Sequence, residues 1–402
     1  MDHLVTLVLT VLDYLIIAWD FVTYCILVPF TPLIKIFIDW FFRTQLNIKV
    51  GGDVAWDIQA YNWRCYPIGL SRGLVGVAEC WMNGWITVSN LELLFTKFLE
   101  NKGPLKLKYI EPGSSFLLYR VRWNWFNIQT PKRAKLFCKM SYNLGPDFFK
   151  TFLDSSLLFS VSYYGRGAAN IEDSQHHKME LTAEKLQLKA GMRVLDLGCG
   201  FGGLSRYLAK NFDIQVVGVT NSSSMAAYAR DICYGLPVEI REIDWREISE
   251  EKAFDRIVGI EILFHIGSHN LEAFFKKLFN LLKPNGILVL QDFSVKKDAA
   301  HSLNFLQKFV FPGHYMFSLA QIFAISEKYF SLEEYLDMSR DMARFYREAL
   351  HLLRRNWDTI SDKYDARVFK IYEIFFAAAS VDEGRGLFSA QQMVFQKLRK
   401  SL

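Results

Sequence analysis

The residues with the most chemical content lie in one run, VLDLGCGFGGL (194–204). Asp196 closes a strand-like stretch, Gly198, Gly200 and Gly202 with Cys199 between them form a G-x-G-x-G turn, and an amphipathic stretch follows. Glycines at such a turn let the backbone approach a bound molecule, and the first turn of the next helix carries positive partial charge. A dinucleotide turn would place its third glycine one residue later and an acid on the second strand. Here the second strand runs VVGVTNSS (216–223), without an acid. A second constellation is Glu261 and His265. Four residues apart, they share a face if the turn is helical, and the carboxylate would raise an imidazole pKa from about 6.5 into a range suited to taking a proton. The plainer alternative has Glu261 capping the turn and His265 bonded to backbone. Asp292 is a further candidate base, although strand alternation points it away.

These residues need a scaffold, and the surrounding text supplies one. MRVLDLG, IQVVGVT, VEIREID, FDRIVGI and GILVLQD, between residues 192 and 292, are strand-like runs that alternate with amphipathic stretches such as LEAFFKKLFNLLK (271–283). That alternation predicts an α/β fold with a doubly wound parallel sheet. In such a sheet the site lies at the carboxyl ends of the strands, here Glu261 to His265 and Gln291 to Phe293. Asp196 before the turn and Asp244-Trp245 after the third strand resemble an S-adenosylmethionine site. The organisation expected is a hydrophobic segment (1–42), a helical lead-in (43–135) and a main domain (136–402) with a helical cap inserted at about 301–365. NLELLFTKFLENK (90–102) reads as a helix capped by Asn90. After residue 300 the chain reads as largely helical, with a terminal FSAQQMVFQKL.

From about 135 to 296 the chain resembles the cyclopropane-fatty-acid synthase family of methyltransferases, with its mycolic-acid and plant coclaurine N-methyltransferase relatives. The resemblance rests on MSYNLGPDFF (140–149), EKLQLKAGMRVLDLGCGFGGLSRYLA (184–209), VVGVTNSS, FDRIVGIE (254–261), LFHIG (263–267) and LLKPNGIL (281–288). Weaker echoes are ECWMNGW (79–85), NIQTPKRAK (127–135) and QQMVF (391–395). It implies a class I methyltransferase fold using S-adenosylmethionine. Tyr142, Ser162 and Tyr163 would close over its methionine part, Thr220 and Ser222 would lie near the ribose, and Asp244 and Trp245 near adenine. Met225 stands where relatives usually carry a polar residue.

The resemblance breaks at the reaction centre. Cyclopropane synthases methylate an unactivated alkene, and the resulting cation must lose a proton. The family does this with a bicarbonate ion held by a cysteine, a glutamate, a histidine, a backbone group and a tyrosine. Those positions fall here on Val161, Phe264, Gln291, Phe293 and Met342. An anion among such residues would be desolvated with few partners, so bound bicarbonate is not expected and the five residues read as substrate lining. The plant N-methyltransferases carry an E-x-x-E-H arrangement of which Glu261 and His265 keep two members. The main reading is methyl or methylene transfer to an unsaturated acyl chain of a membrane lipid. Amine N-methylation by Glu261 and His265 is the alternative, and a non-catalytic membrane-bound protein of the same fold a second. No metal is expected: His176-His177 and Glu172-Asp173 fall on a helix that the family brings towards the cofactor. RDMARFYREALHLLRR (340–355) reads as a solvated helix face.

The first 42 residues are different in kind. Lys35 is the only Lys or Arg there, with Asp13, Asp20 and Asp39 the acids between residues 3 and 42. A span needs roughly 20 apolar residues, and residues 21–38 and 4–19 both come close. One span, a re-entrant hairpin broken near Pro29 and Pro32, a pair of interfacial helices, and a helix pair packed on the domain all remain open. Arg43, Lys49, Arg64 and Arg72 follow, which places the catalytic part on the cytoplasmic side, at the endoplasmic reticulum if the cell is eukaryotic. With 51% apolar residues and 22% charged, the chain is no disordered protein, and a net charge of +5 does not point to nucleic acid. The six cysteines form no C-x-x-C pair, consistent with a reduced compartment. The partners expected are a membrane lipid and a membrane surface, with a homodimer admitted.

Overall fold

The computed structural model describes residues 2–103, 106, 125–295, 304–382 and 388–398. They divide into two compact units, one of residues 1–128, 298–310 and 361–381, the other of 129–297, 311–360 and 382–402.

In the first unit, α1 (Asp2–Leu27) and α2 (Thr31–Phe41) are joined by a short 3-10 turn. Among the described residues one helical run, Leu7–Leu46, is long and apolar enough to cross a membrane. At about 1.5 Å per residue it is roughly twice as long as a bilayer's ~30 Å core requires. The hairpin does not form. Pro29 and Pro32 occupy first-turn positions, where a missing N–H breaks nothing, and the backbone stays right-handed at Leu27 and Thr31 on either side of the turn. One side of the run packs on α3 (Cys65–Met82), burying Leu9, Ile16 and Ile34. The other exposes Leu15, Ile17, Phe21, Ile26, Leu33 and Ile36. Arg72 is bonded to Glu79 at 2.6 Å, so it is no free surface cation. α4 (Leu91–Glu100) begins where expected, with Asn90 Oδ1 accepting from Leu93 N at 2.9 Å.

The second unit contains the expected strands: β1 (Arg193–Leu197), β2 (Gln215–Thr220), β3 (Val238–Glu242), β4 (Phe254–Ile260) and β5 (Leu282–Val295). All pair in parallel, in the order β3-β2-β1-β4-β5. Both faces of β1, β2, β4 and β5 are covered, which is why those runs are largely apolar, whereas the edge strand β3, VEIRE, alternates. Leu195, Val217, Ile257 and Leu288 belong to one core, and Val194, Val216, Val258 and Val289 to the other. The helices that position the site are α5 (Pro131–Tyr142), α6 (Ile171–Leu186), α7 (Gly203–Asn211), α8 (Ser223–Ile232), α9 (Leu271–Leu281) and α10 (Ser339–Asn356).

The sheet is mixed rather than wholly parallel. β6 (Phe330–Asp337) and β7 (Phe388–Lys397) extend it to β3-β2-β1-β4-β5-β7-β6, with β7 antiparallel to both neighbours. The stretch at 301–365 is therefore not purely helical, since it contains β6; residues 301–303 lie outside the described ones. Neither strand announces itself. β6 is an edge strand with most side chains in solvent, and β7 buries polar residues, Gln391 and Gln392, at its centre.

Candidate active site

After β1 the chain turns through Gly198 (φ +80°), Gly200 (φ +54°) and Gly202 (φ +85°) into α7. Val219 O at the end of β2 accepts from Gly198 N and Cys199 N, at 2.9 and 3.0 Å, and pins the turn. Beneath it, Asp196 accepts from Ser205 Oγ at 2.6 Å and ties β1 to α7, while burial pushes its carboxyl up to about 6. A Cβ on Gly202 would stand 2.8 Å from Ala229 Cβ, and one on Gly203 2.3 Å from Ser156 O. One on Gly200 would meet nothing within 4 Å. The turn is thus packed below and open at Gly200, a cradle that fits the methionine part of S-adenosylmethionine.

The other strand ends carry the expected polar groups. Thr220 Oγ1 accepts from Ser222 N at 3.2 Å, and Ser222 caps α8 by accepting from Met225 N at 3.3 Å. Met225 itself is buried. After β3, Asp244 accepts from Arg246 N, Arg246 Nη1 and Asn221 Nδ2 at 3.0, 2.8 and 3.2 Å. Trp245 packs edge-on against Phe274, with ring centroids 5.3 Å apart.

After β4, Glu261 adopts φ +54°, a left-handed conformation that costs a non-glycine residue roughly 1–2 kcal/mol. Its N–H donates to Gln291 O at 2.6 Å, and a 3-10 turn, Leu263–His265, follows. Asp292 on β5 fixes that turn, accepting from Leu263 N at 2.5 Å and Phe293 N at 2.9 Å. Burial still pushes its carboxyl up to about 7. The helical face expected for Glu261 and His265 does not form, because a left-handed residue and a 3-10 turn replace the α-helical one. Glu261 Oε1 accepts from Val161 N at 2.6 Å, whereas His265 Nε2 lies 2.7 Å from Tyr142 OH. No carboxylate raises the imidazole. Burial and the nearby His314 push it down to about 3. Glu261 is pushed well above the usual carboxylate range by burial, against the pull of Lys178, Val161 N–H and the Gln291 side chain.

The positions compared with the family's anion site are poor in free donors. Val161 N–H is taken by Glu261, and Gln291 Nε2 donates to Val161 O at 2.7 Å. Val161, Phe264, Phe293 and Met342 are buried and apolar. Bicarbonate does not fit. What stands there is an aromatic cluster: the Phe264 ring lies 6.0 Å from Phe293 and 5.4 Å from Phe311, and Phe311 lies 6.1 Å from Tyr142 and from Phe159.

Comparison with known proteins decides what this architecture is. Residues 129–393 match the family described as mycolic acid cyclopropane synthetase. The chain is 33% identical over 341 residues to the cyclopropane-fatty-acyl-phospholipid synthase of Escherichia coli (strain K12), covering 84% of this chain and 87% of the relative. The chain belongs to the mycolic acid cyclopropane synthetase family. With that membership it is an S-adenosylmethionine-dependent methyltransferase. The cyclopropane synthase MmaA2 from Mycobacterium tuberculosis superposes with a TM-score of 0.62 at 25% identity, over 67% of this chain and all of that one. A coclaurine N-methyltransferase gives the same TM-score at 19% identity, over 80% of this chain and 98% of that one, and shows the shared fold.

Asp341, Arg344 and Lys178 escaped the sequence reading, whereas Ser162, Tyr163, His176 and Glu172 were named in it. Ser162 is wholly buried, and Tyr163 N donates to Ser174 O at 3.1 Å. The loop that follows is held from α10: Asp341 Oδ1 accepts from Tyr164 N at 2.8 Å, and Arg344 lies 4.0 Å over the Tyr164 ring while donating to Ala168 O and Ala169 O. The 340–355 cluster is therefore not simply a solvated face. Lys178, fully buried on α6, carried no signal because it sits in an otherwise ordinary amphipathic stretch. His176 pairs with Glu180 at 3.3 Å, and Glu172 accepts from Ser155 N at 2.7 Å.

Proposed function

We propose that the protein methylates an unsaturated acyl chain of a membrane phospholipid, with Glu261 accepting the proton that the product sheds. The observation that carries this reading is a half-buried carboxylate, held by Val161 N–H at the ends of β4 and β5, beside an apolar aromatic cluster. The substrate class follows the Escherichia coli relative, named for fatty acyl phospholipids. Gly198, Gly200 and Gly202 would cradle the cofactor, with Tyr142, Ser162 and Tyr163 over its methionine part and Thr220, Ser222, Asp244 and Trp245 towards ribose and adenine.

When bound, S-adenosylmethionine supplies an electrophilic methyl carbon, captured by the alkene π pair as the carbon–sulfur bond breaks towards sulfur, so that the lipid is left with a carbocation. Phe264, Phe293 and Phe311 offer π faces to that cation and keep out water that would trap it. Glu261 then removes a proton from the added methyl, the C–H pair closes the three-membered ring, and the carboxyl later releases its proton to solvent. His265, neutral at physiological pH, holds Tyr142 in place rather than serving as the base. The exposed apolar side of α1 and α2 would rest in the membrane, with the catalytic unit on its cytoplasmic side.

The test is to incubate the purified protein with methyl-labelled S-adenosylmethionine and vesicles of a mono-unsaturated phospholipid, then analyse the acyl chains by mass spectrometry. A labelled chain gaining one CH2 as a ring is the expected result. Label in a headgroup or small amine would establish the amine reading instead, and no labelled product would count against both.

A further inference from the structure

Lys178 on α6 is a lysine with only 2% of its surface exposed. Its Nζ donates to Ser160 Oγ at 2.5 Å and lies 3.5 Å from Ser160 O. Almost one turn earlier on the helix, Gln175 Nε2 donates to Leu158 O and Ser160 O at 3.0 and 2.8 Å. These two side chains fasten residues 158–160, the stretch that presents Val161 N–H to Glu261. A buried ammonium is costly unless an anion answers it. Burial pulls the Lys178 pKa down to about 8, and the carboxylates of Glu261 after β4 and Asp154 in the loop before the stretch act against that pull from beyond ion-pair distance. Asp154 already accepts from Ser156 N and Leu158 N at 2.9 and 3.0 Å. Glu261 has one backbone donor, Val161 N–H, and the Gln291 side chain, and is opposed by a like charge, Asp292 of β5, with the phenol of Tyr346 on α10 also near. Lys178 is the cation among the groups that face it.

We propose that Lys178 is a positioning residue that seats Glu261 through Ser160 and Val161 and favours its ionised form, so that the chain carries its own anion at the reaction centre and needs none from solution. This rests on the reading of Glu261 as proton acceptor. Without the ammonium, a half-buried carboxylate near Asp292 takes up a proton at higher pH, and a protonated Glu261 accepts nothing.

The full-length protein, Lys178→Met, Lys178→Arg and Asp154→Asn are compared on S-adenosylmethionine and unsaturated phospholipid vesicles across the neutral pH range. Lys178→Met is expected to move the acid limb of kcat up by about one pH unit or more. Lys178→Arg should recover most of the wild-type profile, and Asp154→Asn should leave the limb in place. Added bicarbonate or formate leaves the wild-type rate unchanged but restores turnover in Glu261→Ala, and only while Lys178 is present. An unmoved limb in Lys178→Met, or a wild-type enzyme that needs added bicarbonate, overturns the proposal.

A second readout needs no substrate. In thermal unfolding Lys178→Met should be strongly destabilised, with much of the loss recovered in Lys178→Met/Glu261→Gln, because the double variant removes the Glu261 charge together with the ammonium and leaves Asp154 to its two backbone donors. If Lys178→Met does not fold, Lys178→Arg and the double variant carry the comparison, with the double variant expected to fold. Additive losses, or a double variant that also fails to fold, overturn the pairing even in an active enzyme. Coupled losses without any lipid product sustain the pairing and overturn only the proposed reaction.

Discussion

Glu261 and His265 stand out in the sequence by residue type, but their geometry was not legible there. Spacing of four implies a shared face only in an α-helical turn, and nothing in GIEILFHIG signals that Glu261 takes a left-handed conformation. That conformation separates the two side chains, sending one to Val161 and the other to Tyr142. The division of labour is testable. Glu261→Gln keeps the shape and loses the acceptor, so kcat on lipid is expected to fall by about 10²–10⁴-fold, with S-adenosylhomocysteine affinity by calorimetry unchanged. For His265 the linkage has a definite sign. Its folded pKa lies at about 3, below the ordinary 6.5, so between those values the unfolded chain binds the extra proton. Stability associated with the neutral imidazole is present above about pH 6.5 and drains away as pH falls towards 3. Chemical denaturation of wild type against His265→Gln should show the wild type losing stability relative to the variant over that window. A constant difference would show that His265 is not held neutral.

At the scale of elements, four of the five parallel strands were readable because burial on both faces leaves runs of Val, Ile and Leu that no solvated segment would carry, and the edge strand β3 by its alternation. The glycine turn was readable for a different reason, that each glycine meets a backbone demand. Gly200 has φ +54° with open space beyond it. Gly200→Val should therefore abolish S-adenosylhomocysteine binding in calorimetry, through strain and by filling the cradle, while far-ultraviolet circular dichroism keeps the sheet. What stayed hidden was how α10 grips the loop over the site. Asp341 and Arg344 look like ordinary members of a charged helix, yet both bond the 164–169 backbone. Arg344→Ala is expected to raise KM for S-adenosylmethionine several-fold with a smaller change in kcat, since the loop loses its tether and the proton acceptor keeps its place. A kcat loss with unchanged KM would show instead that the helix acts on the reacting atoms.

For the whole molecule, the cofactor turn and the exposed apolar helical run lie in different units of the chain. The second unit holds the cofactor turn, Glu261 and the aromatic cluster. The first unit carries a helical run with one side packed on α3 and the other apolar and exposed. Composition marked that run as apolar enough to cross a membrane, but whether it doubles back depended on backbone direction at Pro29 and Pro32, which composition does not encode. Ile17, Phe21 and Ile26 are 63%, 62% and 60% exposed, so replacing all three with Glu should leave the fold intact. Each buried apolar side chain contributes about 1.5–3 kcal/mol to transfer out of water, and three charges placed there oppose insertion directly. The full-length triple variant is therefore expected to stop floating with phospholipid vesicles in a density gradient. Its affinity for S-adenosylhomocysteine should be unchanged, because no residue of the cofactor turn is touched, and its turnover on vesicle lipid should fall in step with flotation. If flotation persists, another surface brings the enzyme to its substrate. If flotation is lost while lipid turnover is retained, the acyl chain reaches Glu261 without the anchor, and the apolar run serves only to locate the protein.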